Sequence, residues 1–373
     1  MLDKLLNQKL EKRRQENSFR TMHTTQQAID FASNDYLGLA RSEELYDLIR
    51  QTTATQSHVN GAGGSRLLTG HTTCAQSTEE MLAMIFKSDT TLIFNSGYAA
   101  NQGVLSSIPQ KGDTILYDEL AHACIRDGAR LSLAQRFSFR HNNLDDLEQK
   151  LKGAAGNVFI AVESVYSMDG DICPLKDLIP LAEKYHAIVI LDEAHSTGVF
   201  GTGGAGLAVA LGLEDRVPIR IYTFGKAMGV HGACVAGSGV LRDYLINFAR
   251  TFIYTTALAP HSITAIKCAF EFLASHSDLQ NTLASRVAFF TASADKHSIH
   301  RIKSQTQIQG VVVPGNQSVK KLANSLAMAG MDVRPILPPT VAHGSERVRI
   351  CLHCYNSEKE ISELVEALSN IGR

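Results

Sequence analysis

Ala187-Ile-Val-Ile-Leu-Asp-Glu-Ala-His195 reveals more of this chain's architecture than any other short stretch. Three β-branched residues sit in an apolar run that stops abruptly at an acid. A strand with one wet face alternates apolar and polar residues, whereas a continuous β-branched run marks a strand covered on both faces. Outward from this stretch, Val158–Glu163 and residues 219–224 are built the same way. Residues 91–95, 113–117, 136–140 and 233–236 add further strand-like runs, with helix-length stretches at 144–151 and 175–184. Strand, helix and strand at this spacing predict an α/β fold with a mostly parallel open sheet. Beyond about residue 275 the texture changes. Polar helical stretches at 280–294 and 318–329 alternate with strands at 307–313 and 347–351, which predicts a smaller α+β domain.

At the other end, Leu2, Leu5, Leu6 and Leu10 fall at helical spacing beside Lys4, Lys9 and Lys12. This is read as an amphipathic docking arm, on the chain's own fold or on a partner subunit. Turn residues follow in Phe31-Ala-Ser-Asn-Asp-Tyr-Leu-Gly38. The expected organisation is an arm at 1–40, a large domain at 41–275 and a small domain at 276–373.

The 373 residues are 44% apolar and 20% charged, which suits a globular chain with a sizeable core. The 36 Lys and Arg nearly balance the 37 Asp and Glu, for a net charge of -1. Nucleic-acid binding is disfavoured, because it needs a basic excess or stripe. No apolar run approaches the roughly 18 residues of a membrane helix, and Met1 to Arg20 lacks the apolar core of a signal peptide. The seven cysteines are scattered and odd in number, with one pair, Cys351-Leu-His-Cys354, spaced as half of a zinc site. They are read as reduced thiols of a cytoplasmic protein, with no metal site.

Ligands of open parallel sheets bind beyond the carboxyl ends of the strands. There this chain places Asn95-Ser-Gly97-Tyr98, Glu163-Ser164 with Ser167-Met-Asp-Gly170, Asp192-Glu-Ala-His195 and Thr223-Phe-Gly-Lys226. Gly201-Thr-Gly203-Gly-Ala-Gly206 matches the dinucleotide fingerprint in letters. It trails its strand by eight residues, and Glu214 and Asp215 fall in a turn, so a glycine loop accounts for it better. Asp192, His195, His122 and Glu163 could supply metal ligands but lack a tight spacing. Lys226 stands in a small, glycine-rich loop after a buried strand. Burial there would favour the neutral amine, a nucleophile toward carbonyls and a candidate for Schiff-base chemistry.

Together these phrases, with Ser33-Asn-Asp-Tyr-Leu-Gly38, Gly63-Gly-Ser-Arg-Leu-Leu-Thr-Gly70 and Tyr254-Thr-Thr-Ala-Leu-Ala-Pro260, resemble the α-oxoamine synthases, fold-type-I pyridoxal-phosphate transferases. The resemblance covers nearly the whole chain. It implies that pyridoxal 5'-phosphate is held as a Schiff base on Lys226, which also moves the amino acid's α-proton. Asp192 would pair with the ring nitrogen, His195 and Ser167 would meet the ring hydroxyl side, and His122 would stack on the ring. Gly97, Tyr98 and Thr223 would hold the phosphate, joined from a second subunit by Thr256, so the resemblance implies a homodimer with shared sites. Arg349 and Asn34 would take the amino acid's carboxylate, and Arg20 and Thr340 the acyl end, with His122 also facing substrate.

The implied reaction is a decarboxylative condensation of an amino acid with an acyl thioester of CoA or acyl carrier protein. The pattern is nearest the branch that joins L-alanine to a pimeloyl thioester in biotin synthesis; siblings that use glycine or serine remain open. Leu337 in Arg334-Pro-Ile-Leu337-Pro-Pro-Thr340 departs from the arginine common in that branch, and His71 replaces a frequent aromatic. Arg334 could serve in place of the missing arginine.

Overall fold

The computed structural model describes residues 1–22, 28–56 and 59–371. The elements run α1 (Leu2–Gln15), β1 (Ile29–Asp30), α2 (Glu43–Ala54), α3 (Thr73–Ile85), β2 (Thr90–Phe94), α4 (Gly97–Ser107), β3 (Thr114–Asp118), α5 (Ala123–Leu131), β4 (Gln135–Phe139), α6 (Leu144–Lys152), β5 (Val158–Glu163), α7 (Leu175–Lys184) and β6 (Ile188–Asp192). They continue with α8 (Leu207–Ala210), β7 (Ile219–Thr223), β8 (Ala233–Gly237), α9 (Gly239–Phe248), α10 (Arg250–Ile253), α11 (Pro260–Ser275), α12 (Asp278–Lys296), β9 (Ile308–Val312), α13 (Asn316–Met328), β10 (Met331–Asp332), β11 (Arg334–Ile336), β12 (Arg347–Cys351) and α14 (Glu358–Ile371).

Two compact units result. The larger comprises residues 35–167 and 172–281 and holds a seven-stranded sheet in the order β2-β8-β7-β6-β5-β3-β4. The four neighbouring pairs from β7 to β4 are parallel, while β8 is antiparallel to both β7 and β2. The unbroken apolar runs have their reason in this packing. Along β5, Phe159 and Ala161 enter a core shared with Val104 and Leu105 of α4 and Ile125 of α5. Val158, Ile160 and Val162 point the other way, into a core shared with Leu147 of α6 and Leu178 of α7. Both faces are dry, so the strand has no need of alternation.

Helices α4 and α11 lie outside the expected helical stretches. Both are apolar over much of their circumference, with buried residues Ala100, Val104 and Leu105 in α4 and Ile263, Ile266, Phe270 and Leu273 among those of α11. A helix buried on several sides loses the 3.6-residue signature by which surface helices are read.

The smaller unit comprises residues 1–34, 168–171 and 282–373. Its antiparallel sheet runs β11-β12-β9, and β1 pairs in parallel with β10. Val348 and Ile350 of β12, Phe290 of α12, Leu322 of α13 and Leu364 of α14 share one core with Phe31. The helix expected near the N-terminus is α1; its apolar residues Leu2, Leu5, Leu6 and Leu10 are exposed. Among the described residues no helix is long and apolar enough to cross a membrane.

Candidate active site

The predicted chemistry of the larger unit gathers where β5, β6 and β7 end. Register pairs Glu163 directly with Asp192, and both are buried. The Asp192 carboxylate is held at two points: Asn101 Nδ2 donates to Oδ2 at 2.8 Å, and the Ala194 N–H donates to Oδ1 at 2.9 Å. Asn101 lies one turn into α4 and also reaches the Gly97 carbonyl at 3.0 Å. An anionic acid fixed in this way at the bottom of the strand ends is a strong partner for a buried cation.

His195, three residues further on, is buried, and its Nδ1 lies 2.8 Å from the hydroxyl of Tyr36, itself fully buried. His122 caps α5: its Nδ1 accepts the Cys124 N–H at 3.3 Å, with Cys124 Sγ at 2.9 Å. Its backbone N–H donates to Glu163 Oε1 at 2.6 Å. His122 as a whole is exposed, yet packing around the ring still disfavours the imidazolium and lowers its pKa. Asp192 opposes that shift, and the cations Lys226 and Arg126 add to it. Burial pushes the Glu163 carboxyl up to about 8, helped by the neighbouring Asp192 and opposed by Lys226. The Cys124 thiol is pushed well up by burial and by the neighbouring Asp192 and Glu163, which disfavours the thiolate.

Lys226 is half-buried rather than sealed away. It stands in a hairpin joining β7 to β8, closed at its base by a Phe224 N–H to Gly232 carbonyl bond of 2.9 Å. Gly97 opens the eleven-residue α4, with Ser96 as its cap, so the N–H groups of Gly97 and Tyr98 lead the helix where no intrahelical acceptor exists. Thr223 packs against this point so closely that a Cβ on Gly97 would fall 2.2 Å from Thr223 Cγ2. The Thr223 hydroxyl lies 3.5 Å from the Ala194 carbonyl, and the leading N–H groups of α4 suit an anion. Thr256 is exposed, and its carbonyl accepts Asn95 Nδ2 at 2.8 Å. Ser167 is buried in the same unit.

The glycine loop at 201–206 has a different duty. Glu193, fully buried, accepts the N–H groups of Leu207 and Ala208 at 3.0 and 2.8 Å. The protein's own carboxylate thus occupies the anion position of the helix that a dinucleotide pyrophosphate would need. Gly206, at φ +90, leaves room for it: a Cβ there would lie 3.0 Å from Glu193 Cδ. As a metal set, Asp192, His195, His122 and Glu163 do not bring three ligand atoms within 4.8 Å of one another among the described residues.

The smaller unit carries the predicted substrate residues other than His122. Arg349, buried on β12, donates through Nη2 to Asn34 Oδ1 at 2.9 Å, while its Nη1 lies 2.9 Å from Cys351 Sγ. The turn bearing Asn34 is tied down. Asp30 accepts the N–H groups of Ala32 and Ser33, both at 2.9 Å, and the Ser33 hydroxyl at 2.7 Å; Tyr355 donates to Asp30 at 2.9 Å, and His353 Nε2 lies 3.1 Å from the Ser33 carbonyl. Arg20 and Thr340, both exposed, meet at 3.4 Å. Arg334 is engaged in a two-point ion pair with Asp332, both contacts at 2.8 Å, and Leu337 packs against the small core.

Asn101, Tyr36 and Glu163 are the residues that motif reading left without a role in the cofactor site. Asn101 and Tyr36 stand inside quoted motifs, but no local pattern says that they reach Asp192 and His195.

The family model described as aminotransferase class I and II matches residues 26–368. An 8-amino-7-oxononanoate synthase from Emericella nidulans is 40% identical over 92% of this chain and 89% of its own length. The chain belongs to the α-oxoamine synthase branch of the class I and II aminotransferase family. Within that branch, 8-amino-7-oxononanoate synthase 2 of Bacillus subtilis is 38% identical over 92% of this chain and 88% of its own. A solved 8-amino-7-oxononanoate synthase from Francisella tularensis superposes with a TM-score of 0.79 at 28% identity, covering 92% of this chain and 97% of that one. A serine palmitoyltransferase from S. paucimobilis, solved with a bound PLP-myriocin aldimine, shares the fold at a TM-score of 0.90 and 24% identity, covering 99% and 96%.

Proposed function

We propose that this enzyme condenses L-alanine with a pimeloyl thioester, releasing the thiol and carbon dioxide and forming 8-amino-7-oxononanoate for biotin synthesis. The observation that carries the reading is Asp192: a buried acid at the end of a central strand, held on both oxygens, in a chain similar over almost its full length to synthases of that name. The cofactor is pyridoxal 5'-phosphate, and the residues present fit it. The Asp192 carboxylate calls for a cationic ring nitrogen, and the α4 N-terminus with Thr223 forms an anion cradle.

When bound, the cofactor supplies an aldehyde for an amine and a protonated ring that accepts an electron pair. Lys226 contributes its amine as the covalent anchor and then as the base at Nζ for the α-proton of alanine. Asp192 keeps the ring nitrogen protonated. His195 and Ser167 serve the ring hydroxyl side, and Tyr36 orients His195 through Nδ1. His122 covers the ring face and meets the substrate. Its lowered pKa favours the neutral imidazole, which adds no cation next to Lys226. Gly97, Tyr98 and Thr223 hold the phosphate. Arg349, steered by Asn34, takes the alanine carboxylate, while Arg20 and Thr340 serve the pimeloyl end.

The α-carbon of alanine gives up its proton and bonds to the thioester carbonyl, the thiol leaves with a proton, and the original carboxylate departs as carbon dioxide while a proton takes its place on the α-carbon. Thr256 acts from a second subunit of a homodimer, and the enzyme works in the cytoplasm. The test is thiol release measured with alanine, glycine and serine against pimeloyl and other acyl thioesters of CoA and carrier protein. Turnover with alanine plus pimeloyl thioester is expected; turnover only with glycine or serine moves the chain to a sibling activity. Borohydride is expected to fix the cofactor on Lys226.

A further inference from the structure

Glu163 has no part in the scheme above, yet the fold keeps a carboxyl there at 2% exposure. An ionisable side chain at that depth is costly unless its contacts have a purpose. Two independent features single it out. Register on neighbouring strands sets it beside Asp192, and its Oε1 takes the backbone N–H of His122 at 2.6 Å. That N–H sits at the cap of α5, outside the helix's own bonding pattern, so the helix cannot hold it. The groups facing Glu163 are Asp192 from the end of β6, Lys226 from the β7–β8 hairpin, Asp118 from the end of β3, His122 and Cys124 from the start of α5, and Tyr166 from the loop after β5. His122 is thereby pinned twice: its backbone by Glu163, and its ring by the Cys124 N–H and sulfur.

We propose that Glu163 is a positioning residue, whose side chain fixes the backbone of His122 and so sets the attitude of its imidazole toward the cofactor. The inference rests on the ring-covering role given to His122 above. Glutamine retains the acceptor oxygen at the same length, methionine retains the length without a strong acceptor, and alanine removes both. The role therefore predicts rescue by glutamine alone.

The experiment compares Glu163→Gln, Glu163→Ala and Glu163→Met with the parent protein through two readouts other than turnover. The first is hydrogen exchange of the His122 amide in cofactor-free protein. The second is the visible circular dichroism of the cofactor in the loaded enzyme, which reports the asymmetry of the groups around the ring. In Glu163→Ala and Glu163→Met, His122 exchange is expected to speed up by about tenfold or more. Their visible dichroism is expected to fall by about half, while borohydride still fixes the cofactor on Lys226. Glu163→Gln should match the parent in both. The idea is overturned if alanine and methionine leave both signals unchanged, or if glutamine disturbs them as strongly as alanine. Should alanine fail to fold, methionine against glutamine decides alone. Failure of borohydride fixation in the parent would instead overturn the cofactor reading, and the exchange rates would still report on Glu163.

Discussion

Asp192 and Glu163 are two acids side by side on adjacent strands, and their surroundings separate their duties. Asn101 and the Ala194 N–H stabilise charge on Asp192, whereas burial next to that charge keeps a proton on Glu163. Replacing Asp192 by Asn keeps the shape and removes the charge, so kcat/KM for thiol release should fall by about 10²-fold or more; a parental rate would remove the acid from the scheme. For Glu163 the consequence is a pH dependence of stability. Folding raises its pKa from the ordinary 4.5 to about 8, so between those values the folded chain holds a proton that the unfolded chain has lost. The stability this group gives is complete below the lower value and declines as pH rises through the window. In cofactor-free protein, the melting temperature of Glu163→Gln should therefore fall less steeply from about pH 5 to about pH 8 than that of the parent. Parallel curves would show that no proton is held there. Residues such as Asp192, His195 and Lys226 were legible because titratable side chains that end apolar runs stand out. Asn101 and Tyr36 were not, because their partners lie 91 and 159 positions away.

Among elements, the junction of β2, α4 and β7 governs the proposed anion cradle. Gly97 is needed there for closeness rather than for flexibility. Gly97→Ala would push the start of α4 away from Thr223. An overpacking cost of about 1–3 kcal/mol is expected, together with a cofactor affinity at least about tenfold weaker, measured by fluorescence or absorbance titration. Gly239, which also opens a helix but has nothing near its missing Cβ, is the control: Gly239→Ala should change neither. In the smaller unit, Arg349→Lys retains the charge and loses the planar fork that meets Asn34. The KM for alanine should rise about tenfold with a smaller change in kcat; an unchanged KM would move carboxylate binding elsewhere. The apolar strands and periodic helices were readable to within a residue or two. Helices α4 and α11 were not, since burial on several sides erases the period that betrays a helix.

At the scale of the whole molecule, the alternating order of elements was enough to predict an open, largely parallel sheet, and β5 shows why: its side chains feed two cores by turns. What the order did not reveal was the reversed strand β8, wedged between β2 and β7. A strand's direction depends on its neighbours, and short apolar runs look alike either way. The proposed homodimer predicts a particle of twice the 40.6 kDa chain mass in light scattering, and a purely monomeric active enzyme would contradict it. The reversed strand also bears on the lysine. Because β7 and β8 are bonded to each other and the Phe224–Gly232 bond closes the gap, the backbone carrying Lys226 is clasped at both ends. In the proposed mechanism, the travel its amine needs between anchoring and proton transfer would come chiefly from the four-carbon stem. An extra residue spliced into that clasp would spoil the reach while leaving every strand in place.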